Sequence, residues 1–446
     1  MTDYDLIVVG AGPAGSTAAR AAAEGGLRVA ILERAAFPRE KLCGGFVSAK
    51  ALDAIGLRIP ERVVERRITA VEIRDGGVRA RRAAGAPGEA ALGITVRRAA
   101  FDAFLLEAAR AAGVEVFQPA HVRRIDAGGG GLRPVVEIAG AGASTDGSPA
   151  GANAGPTGAR TGDGDGGGGG PAPRRLTARA VIDARGVESL VGRRGPLWRF
   201  RRYSLGFAYG AIVPTAFPGP PATPRGATAP PASQPLILDQ SPVRAGFAWA
   251  FPFDGAMNVG VGAWTPARRA LRASYERYLE ELIAAGYVTG ELEAEARRVR
   301  PRAALLPPGG PPYRLAHGGV LYVGDAAGMI DPFGGEGIYG AVQSGRLAAE
   351  AALAACNTAR RPAAGFRTSR CLARSYRRRV RRELTWELRF ALAQAGLAWL
   401  RSWLRPRKAA LGRTAALVTD VMQSPRAYRD RIGMPRPRRG GRAASG

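Results

Sequence analysis

The sequence predicts an α/β protein that combines a parallel-sheet domain, an inserted antiparallel-sheet domain and a C-terminal helical region. Three observations support this fold class: a strand, glycine turn and helix open the chain, alternating strands fill its middle, and a basic helical segment closes it. The chain has 446 residues, 46% of them hydrophobic. That is enough to bury a sizeable core divided over two or three lobes, and it excludes a fibrous, collagen-like or wholly disordered protein.

The N-terminal segment is typical of a βαβ unit. Apolar residues at 6–9 and 28–33 indicate two parallel strands, and an Ala-rich helix lies between them over 16–24. The turn between the first strand and the helix carries the pattern Gly10, Gly12, Gly15. Such glycines give a tight turn, close backbone approach to a pyrophosphate and close helix packing. Glu33, which ends the second strand, is spaced to accept hydrogen bonds from an adenosine ribose. A dinucleotide site is predicted; the alternative is a glycine turn that merely follows a strand.

The rest of the chain predicts a discontinuous domain arrangement. Residues 139–173 are almost free of large apolar side chains, so they cannot offset the entropy of ordering. Short alternating runs, broken by a Pro-rich loop, predict a second, antiparallel sheet. The expected domains are a nucleotide-binding domain of residues 1–70, 95–195 and 300–356 with a disordered Gly-rich insertion at 139–175, a substrate-binding sheet domain of 71–94 and 196–299, and a basic helical region of 357–446.

Charge is concentrated at the C-terminal end of the chain. The net charge is +28, from 65 Lys+Arg and 37 Asp+Glu, and residues 357–446 carry 23 basic and 4 acidic residues, a net +19. A role in binding membranes or nucleic acids would therefore belong to this tail. The body before it is only mildly basic.

The cysteines and the N-terminus predict a cytoplasmic protein. Three cysteines lie far apart without metal-ligand spacing, so we expect a reducing compartment, no disulfide framework and no metal site. The chain starts with acidic residues where a signal peptide needs basic ones, and no apolar run is long enough to span a bilayer.

The identity of the dinucleotide is indicated about 300 residues later. Residues 322–328, Tyr-Val-Gly-Asp-Ala-Ala-Gly, resemble the second flavin motif of the p-hydroxybenzoate-hydroxylase-like FAD proteins. The resemblance implies that Asp325 contacts the ribityl or pyrophosphate part of FAD, and that the following loop and helix face the isoalloxazine. It also implies a Rossmann-like FAD-binding domain of the glutathione-reductase type.

Three further segments resemble the geranylgeranyl reductase family of flavoproteins. Residues 331–346 are similar to its P-F-x-G-E-G-I-Y-x-A…S-G-R segment, residues 37–45 to F-P-R-x-K-x-C-G-G, and residues 246–262 to Y-x-W-x-F-P…V-G-x-G. The resemblance runs with gaps from residue 1 to about 355. The middle flavin motif departs from the usual pattern at Asp183, where the glycine is displaced, and neither the insertion nor the tail belongs to the pattern.

This resemblance implies hydride transfer from reduced FAD to a carbon–carbon double bond of an isoprenoid or prenyl lipid. Electrons would come from NAD(P)H bound transiently or from another reductant. The implied catalytic residues are Cys43 and Trp249. The implied cofactor-binding residues are Gly10, Gly12, Pro13, Ala14, Gly15, Glu33, Arg34, Cys43, Gly44, Arg98, Val122, Gly324, Asp325, Pro332, Gly334, Gly335, Gly337 and Ile338.

Two other functions remain open from the residues alone. A flavin-dependent monooxygenase or halogenase acting on an aromatic or polyketide-like substrate would share both FAD motifs. A membrane-associated flavin protein without turnover is the other alternative.

Several side chains have a structural as well as a functional interpretation. The aromatic residues of the second sheet could line a dry substrate slot or form ordinary core: Phe247, Trp249, Phe251 and Trp264. Cys43 could donate a proton or be a small buried hydrophobe. For Lys41 and Lys50 we expect surface positions.

The basic tail has two interpretations of its own. Residues 374–408 place arginines beside Leu384, Leu388, Leu392, Trp399 and Trp403 at near-helical spacing. This pattern is typical of a helix that binds the membrane surface peripherally, at the inner face of the cell membrane, or of a helical cap that packs on the body. No nucleic acid is expected, because no recognition module accompanies the charge.

Overall fold

The structure is a computed structural model. It describes the chain except for residues 1, 84–90, 129–132, 140–173, 193–204, 216–233, 244–245, 265–267, 312, 360–364, 402–407 and 432–446. The predicted disordered insertion at 139–175 lies almost wholly outside the described residues.

The described residues form the following strands: β1 (Tyr4–Val9), β2 (Val29–Leu32), β3 (Phe46–Ser48), β4 (Arg66–Ile68), β5 (Ala70–Asp75), β6 (Val78–Ala83), β7 (Gly93–Thr95), β8 (Glu115–Phe117), β9 (Val122–Asp126), β10 (Val135–Ile138), β11 (Arg174–Asp183), β12 (Gly206–Pro214), β13 (Leu236–Asp239), β14 (Gly246–Phe253), β15 (Ala256–Ala263), β16 (Arg302–Leu306), β17 (Ala316–His317) and β18 (Val320–Tyr322).

The helices are α1 (Pro13–Glu24), α2 (Ala49–Ile55), α3 (Arg98–Ala111), α4 (Val187–Gly192), α5 (Arg268–Ala284), α6 (Glu291–Arg298), α7 (Ile338–Ala359), α8 (Gly365–Val380), α9 (Trp386–Arg401), α10 (Lys408–Gln423) and α11 (Ala427–Arg431). A π-helical turn, Arg381–Thr385, joins α8 to α9.

The first sheet is mainly parallel, as the βαβ pattern predicts. Its order is β17-β18-β11-β1-β2-β8, and the hairpin strands β9 and β10 extend from β11. The apolar run of β1 is buried because α1, which packs against α3 and α7, covers it, and residues of the hairpin strands β9 and β10 belong to the same core. The carboxyl ends of β1, β11 and β18 meet at one edge. In open α/β sheets, ligands bind outside the carboxyl ends of the strands.

The second sheet has the order β16-β12-β15-β14-β13-β5-β6, and all its neighbouring strands are antiparallel except β13 and β5. One face packs on α5 and α6 and the other on α10. The sequence-based division left β16 in the first domain, which is wrong: Arg302–Leu306 pairs with β12 at the edge of this sheet. Leu306 packs in the apolar cluster on the α10 face of the sheet, which is the physical reason for this placement. A small sheet, β3-β7-β4, lies beside the two large ones. The predicted fold class is confirmed.

The C-terminal helices pack on the body. Tyr376 of α8 is fully buried and donates a hydrogen bond to the carbonyl of Tyr322 at 2.7 Å. Leu384 and Leu388 belong to the core of the first domain, so they do not lie on an outward-facing apolar side of this segment. They point inward because the π-helical turn and α9 wrap the same core that α7 and α8 cover. The inner face of the tail is therefore a helical cap.

Helix α9 also carries three exposed large apolar side chains. Trp386, Leu392 and Leu397 are 46%, 41% and 44% exposed. The side chains of Trp399 and Trp403, which the sequence grouped with them, lie outside the described residues. None of the helices described here is both long and apolar enough to cross a membrane.

Candidate FAD site and active-site cleft

Each glycine of the turn between β1 and α1 has a different structural role. Gly10 has φ +100°, and a Cβ there would lie 2.6 Å from the carbonyl oxygen of Ala184. A Cβ at Gly15 would lie 1.9 Å from the carbonyl oxygen of Gly10, so this glycine lets α1 pack on its own strand. A Cβ at Gly12 would meet only the Arg39 guanidinium, at 3.7 Å. Gly12 thus leaves space at the helix N-terminus for an anion.

Glu33 braces this turn from behind. Its carboxylate accepts hydrogen bonds from the backbone N–H groups of Ala11 at 2.7 Å and Ala35 at 3.0 Å. Arg39, on the loop after β2, approaches Glu33 at 3.9 Å and the buried Asp102 at 3.4 Å. This arginine was not singled out in the sequence, although it stands in the F-P-R segment.

The glycine turn opens into a large cleft between the two sheets. The cleft encloses about 1270 Å³, counting its open mouth. Its first-domain wall comes from the turn at 12–14, the loop at 41–44, residues 323–325 and the loop at 334–338. Lys41 lies at the surface of this wall, as expected, and its Nζ is 3.5 Å from a carboxylate oxygen of Asp325.

Aromatic side chains of β14 form the opposite wall of the cleft. Phe247, Trp249 and Phe251 alternate along the strand and line the cleft, and Trp264 joins them after β15. On β15 the residue opposite Trp249 is Gly260, where a Cβ would lie 2.1 Å from the indole ring. The paired strand therefore provides small residues where the aromatic rings need space. All four aromatic residues predicted as slot candidates meet at this cleft.

Asn258 links the aromatic wall to the loop of Cys43. Its side-chain oxygen accepts a hydrogen bond from the Trp249 indole N–H at 2.9 Å, and its side-chain amide donates to the carbonyl of Cys43 at 2.8 Å. Asn258 is 3% exposed. The sequence contained this residue at the start of the V-G-x-G signature, but its bridging role depends on the pairing of β14 with β15.

Arg98, at the start of α3, provides the buried positive charge of the cleft. It forms two 2.8 Å hydrogen bonds with the fully buried Asp102. Burial alone would lower the pKa of Arg98, but the Asp102 carboxylate, with a further contribution from the Cys43 side chain, raises that pKa above its usual value. Arg98 is thus a fixed cation that contacts Cys43.

The comparisons with known proteins agree with this geometry. A family model described as FAD dependent oxidoreductase matches residues 5–151. Digeranylgeranylglycerophospholipid reductase 1 of Methanopyrus kandleri is 32% identical over 370 residues, covering 79% of this chain and 81% of that protein. Menaquinone reductase of Mycobacterium tuberculosis is 29% identical over 370 residues, with coverage of 78% and 76%.

The chain belongs to the geranylgeranyl reductase family. It is an FAD-dependent oxidoreductase. A solved structure of a geranylgeranyl bacteriochlorophyll reductase-like protein from Thermoplasma acidophilum shares the fold, with a TM-score of 0.70 at 20% identity and coverage of 96% of each chain.

Most of the residues that the family resemblance implied lie at this one cleft. They are Gly12, Pro13, Ala14, Cys43, Gly44, Arg98, Trp249, Gly324, Asp325, Gly334, Gly335, Gly337 and Ile338. Gly10, Gly15 and Glu33 lie behind the turn and shape it. Their assignment to FAD stays a prediction.

Three implied cofactor residues lie elsewhere. Arg34 is exposed and pairs with Glu188 at 2.6 Å, so its side chain points away from the cleft. Val122 is buried in β9, among the core residues of the hairpin. Pro332 lines a smaller pocket next to the cleft, with Phe333 and residues of α10.

Lys50 corrects a prediction. It is 6% exposed rather than a surface residue. Its ammonium group lies 3.0 Å from the Glu336 carboxylate and over the Tyr339 ring at 4.6 Å. Ser48 also donates a hydrogen bond to Glu336. The lysine is buried because α2 packs against α7, just behind the loop that lines the cleft.

The middle motif is built differently from the family pattern. The Asp183 carboxylate receives hydrogen bonds from Arg185 at 2.8 Å and from Ser189 at 2.6 Å. Ala184 and Gly186 line the cleft instead. The displaced glycine thus comes with an aspartate held by its own neighbours.

Proposed function

We propose that this protein reduces carbon–carbon double bonds of an isoprenoid or prenyl-lipid substrate, with hydride from reduced FAD. The observation that carries the proposal is the shared cleft, in which the glycine turn and the 334–338 loop lie opposite an aromatic wall. The relatives, reductases of prenyl substrates, support the same substrate class.

The shape of the cleft at Gly12, Gly334 and Gly337 suits the pyrophosphate and the flat ring system of FAD. The open side of Gly12 and the N-terminus of α1 suit a pyrophosphate, because backbone N–H groups and the helix dipole favour an anion there. Gly334 and Gly337 keep the loop thin where a flat ring system would lie. The bound flavin supplies the hydride chemistry. The chain provides the position, the dry surface and the protons.

The aromatic wall suits an apolar chain. Phe247 and Trp249 meet edge to face with ring centroids 6.4 Å apart, and the indole N–H is already bonded to Asn258. The wall therefore presents ring faces and edges rather than polar groups. Such a surface excludes water and stabilises an alkene by apolar burial.

Reduction of a double bond also needs a proton for the carbon that receives no hydride. Cys43 is the proposed donor, since it lines the cleft beside Arg98 and Gly44. The fixed positive charge of Arg98 stabilises the anion that remains after the proton leaves. Trp249 positions the substrate opposite.

For the electron donor we propose transient binding of NAD(P)H. Among the described residues, the other GxGxxG spacing, Gly335, Gly337 and Gly340, belongs to the loop and helix of the proposed flavin cleft rather than to a second βαβ unit. A separate, stably held nicotinamide cofactor is therefore not expected.

We also propose peripheral contact with an anionic membrane through the outer face of α9. Trp386 and Leu397 lie on the same side of α9, and Arg389 lies over the Trp386 ring at 5.7 Å. The +19 charge of the tail complements anionic headgroups. An interfacial position would give access to a lipid substrate.

The experiment is anaerobic incubation of the FAD-loaded protein with dithionite and either geranylgeranyl diphosphate or menaquinone, followed by mass spectrometry. The expected product has gained two hydrogens for each reduced double bond. A product that gains oxygen in air with NAD(P)H, with no hydrogenated product under dithionite, would contradict the reductase and favour a monooxygenase. Free FAD with dithionite is the control.

A further inference from the structure

The loop between Asp331 and Gly337 lies between the cleft and the C-terminal helices. Gly334 and Gly335 line the cleft on one side of the loop. On the other side, Phe333 packs on a buried cluster formed by residues of α9, α10 and α11. The C-terminal region thus contacts the back of a loop whose front lines the proposed flavin site.

Asp331 fixes the shape of this loop. Its Oδ1 accepts hydrogen bonds from the backbone N–H groups of Phe333 and Gly334, both at 2.8 Å. Its backbone carbonyl accepts from Gly335 N–H at 2.9 Å, and its own N–H donates to the carbonyl of Glu336 at 2.9 Å. One side chain therefore organises the residues that form the cleft wall.

Tyr428 of α11 holds the Asp331 carboxylate from behind. Its hydroxyl lies 3.2 Å from Oδ2 and 3.4 Å from Oδ1, and the residue is 5% exposed. Burial raises the pKa of Tyr428 well above its usual value, and the negative charge of Asp331 raises it further. The hydroxyl therefore remains protonated and donates to the carboxylate throughout the neutral pH range.

Other charged groups around Asp331 make the Tyr428 hydrogen bond important for the Asp331 carboxylate. Glu336 and Glu387 line the same small pocket as Asp331, and Lys50 lies there with them. Lys50 pairs with Glu336. Without the Tyr428 hydroxyl, the Asp331 carboxylate would lose a donor at a site that already contains two other carboxylates.

We propose that Tyr428 is a positioning residue for the flavin: by holding Asp331, it fixes the 331–337 loop in the conformation that the isoalloxazine requires. The inference rests on the proposed flavin site. It makes the C-terminal region, which matches none of the sequence motifs, a functional part of the cleft.

The test is Tyr428→Phe in the full chain, compared with Tyr4→Phe. Tyr4 is a matched control because it is 6% exposed and donates to the Glu115 carboxylate at 2.5 Å, at the end of β1 opposite the glycine turn. Both variants should lower the melting temperature of the apoprotein, Tyr4→Phe by less, because water can replace the lost donor at the exposed Glu115 carboxylate.

Only Tyr428→Phe should weaken FAD binding, by up to about 10- to 150-fold, which is the factor expected for losing one hydrogen bond to a charged group. It should also change the visible circular dichroism of the bound flavin. An FAD affinity within about twofold of the wild type, with an unchanged spectrum, would overturn the proposal.

A double-mutant comparison tests whether Tyr428 acts through Asp331. Combining Tyr428→Phe with Asp331→Asn should weaken FAD binding no more than Asp331→Asn alone, because the two residues form one interaction. Fully additive losses would mean that Tyr428 acts by another route and would refute the proposal.

The failure of this inference can be distinguished from failure of the proposed flavin site. A Cβ at Gly334 would lie 3.7 Å from its nearest neighbour, Asp331, and Gly334 lines the cleft, so we expect Gly334→Ala to fit the protein while taking up space in the cleft. If Gly334→Ala leaves FAD binding unchanged, the proposed flavin site itself is wrong. If Gly334→Ala weakens FAD binding and Tyr428→Phe does not, only the role of Tyr428 is wrong.

Discussion

Alanine at Gly12 and alanine at Gly15 should separate cofactor binding from folding. A Cβ at Gly12 has 3.7 Å to its nearest neighbour, whereas a Cβ at Gly15 would be 1.9 Å from a backbone oxygen. Gly12→Ala is therefore compatible with the apoprotein, and Gly15→Ala forces α1 away from β1. The two glycines stand three residues apart in one motif, which makes them a matched pair.

The expected magnitudes follow from these distances. Gly12 is the N-cap residue of α1 with φ −69°, which alanine can adopt. The capping loss and the smaller unfolded-state entropy should cancel to within about 1 kcal/mol. The added methyl would occupy the proposed pyrophosphate position and should remove one or two charge-assisted hydrogen bonds, or about 1.5–3 kcal/mol of FAD binding. The dissociation constant should rise about 10- to 150-fold.

Gly15→Ala should behave in the opposite way. Its overpacking against backbone should cost about 1–3 kcal/mol or more, since a backbone oxygen cannot rotate aside. Thermal melting of the apoproteins and fluorescence titration with FAD measure the two effects. If Gly12→Ala melts several degrees below the wild type, or binds FAD within about twofold of the wild-type affinity, Gly12 and Gly15 do not have separate roles in cofactor binding and folding.

Three further variants test Cys43, the Lys50–Glu336 pair and helix α9. If the Cys43 thiol is the general acid, Cys43→Ser should lower turnover by about 100-fold or more and leave FAD affinity unchanged. Cys371→Ser, at an exposed position on α8, is the control and should have no effect. Equal turnover rates for the two variants would rule out Cys43 as the proton donor. Lys50→Met should destabilise the fold by about 3–5 kcal/mol, measured by thermal melting, because the Glu336 charge is left buried without its cation. Glu336→Gln in the same chain should restore most of this loss, so a double variant no more stable than the single one would contradict the pairing. Leu397→Glu should reduce the fraction of protein that sediments with anionic vesicles and leave turnover on a detergent-dispersed substrate unchanged. Neutral vesicles are the control. Undiminished binding of the variant to anionic vesicles would exclude α9 as the docking face.

The first domain could be predicted from sequence because its signals are local. The apolar run of β1, the three glycines and Glu33 lie within 33 residues, and each has a physical reason for its place in a βαβ unit. The aromatic wall could be predicted from the sequence for the same reason, since Phe247, Trp249 and Phe251 alternate along one strand. What the sequence could not provide was the partner strand, which decides that Gly260 makes space for the indole.

Lys50 shows where local reasoning fails. A lysine on a short helix is normally solvated, and nothing near it in sequence suggests otherwise. Its partner Glu336 is 286 residues away, at the loop before α7. Burial of the pair depends on the packing of α2 on α7, which no pattern within either segment indicates. Asp331 and Tyr428, 97 residues apart, were beyond prediction for the same reason.

The charge of the tail illustrates how a count of residues can overstate one role. Arg377 donates a hydrogen bond to the carbonyl of Ala316, and Arg379 pairs with Glu350 at 2.9 Å. These guanidinium groups hold α8 against the first domain, so part of the +19 charge serves the cap rather than a membrane. The two interpretations of the tail therefore apply to different faces of the same helices. The inner face carries Tyr376 and Leu384 into the core, and the side of α9 that exposes Trp386 and Leu397 is where the docking proposal has to be tested.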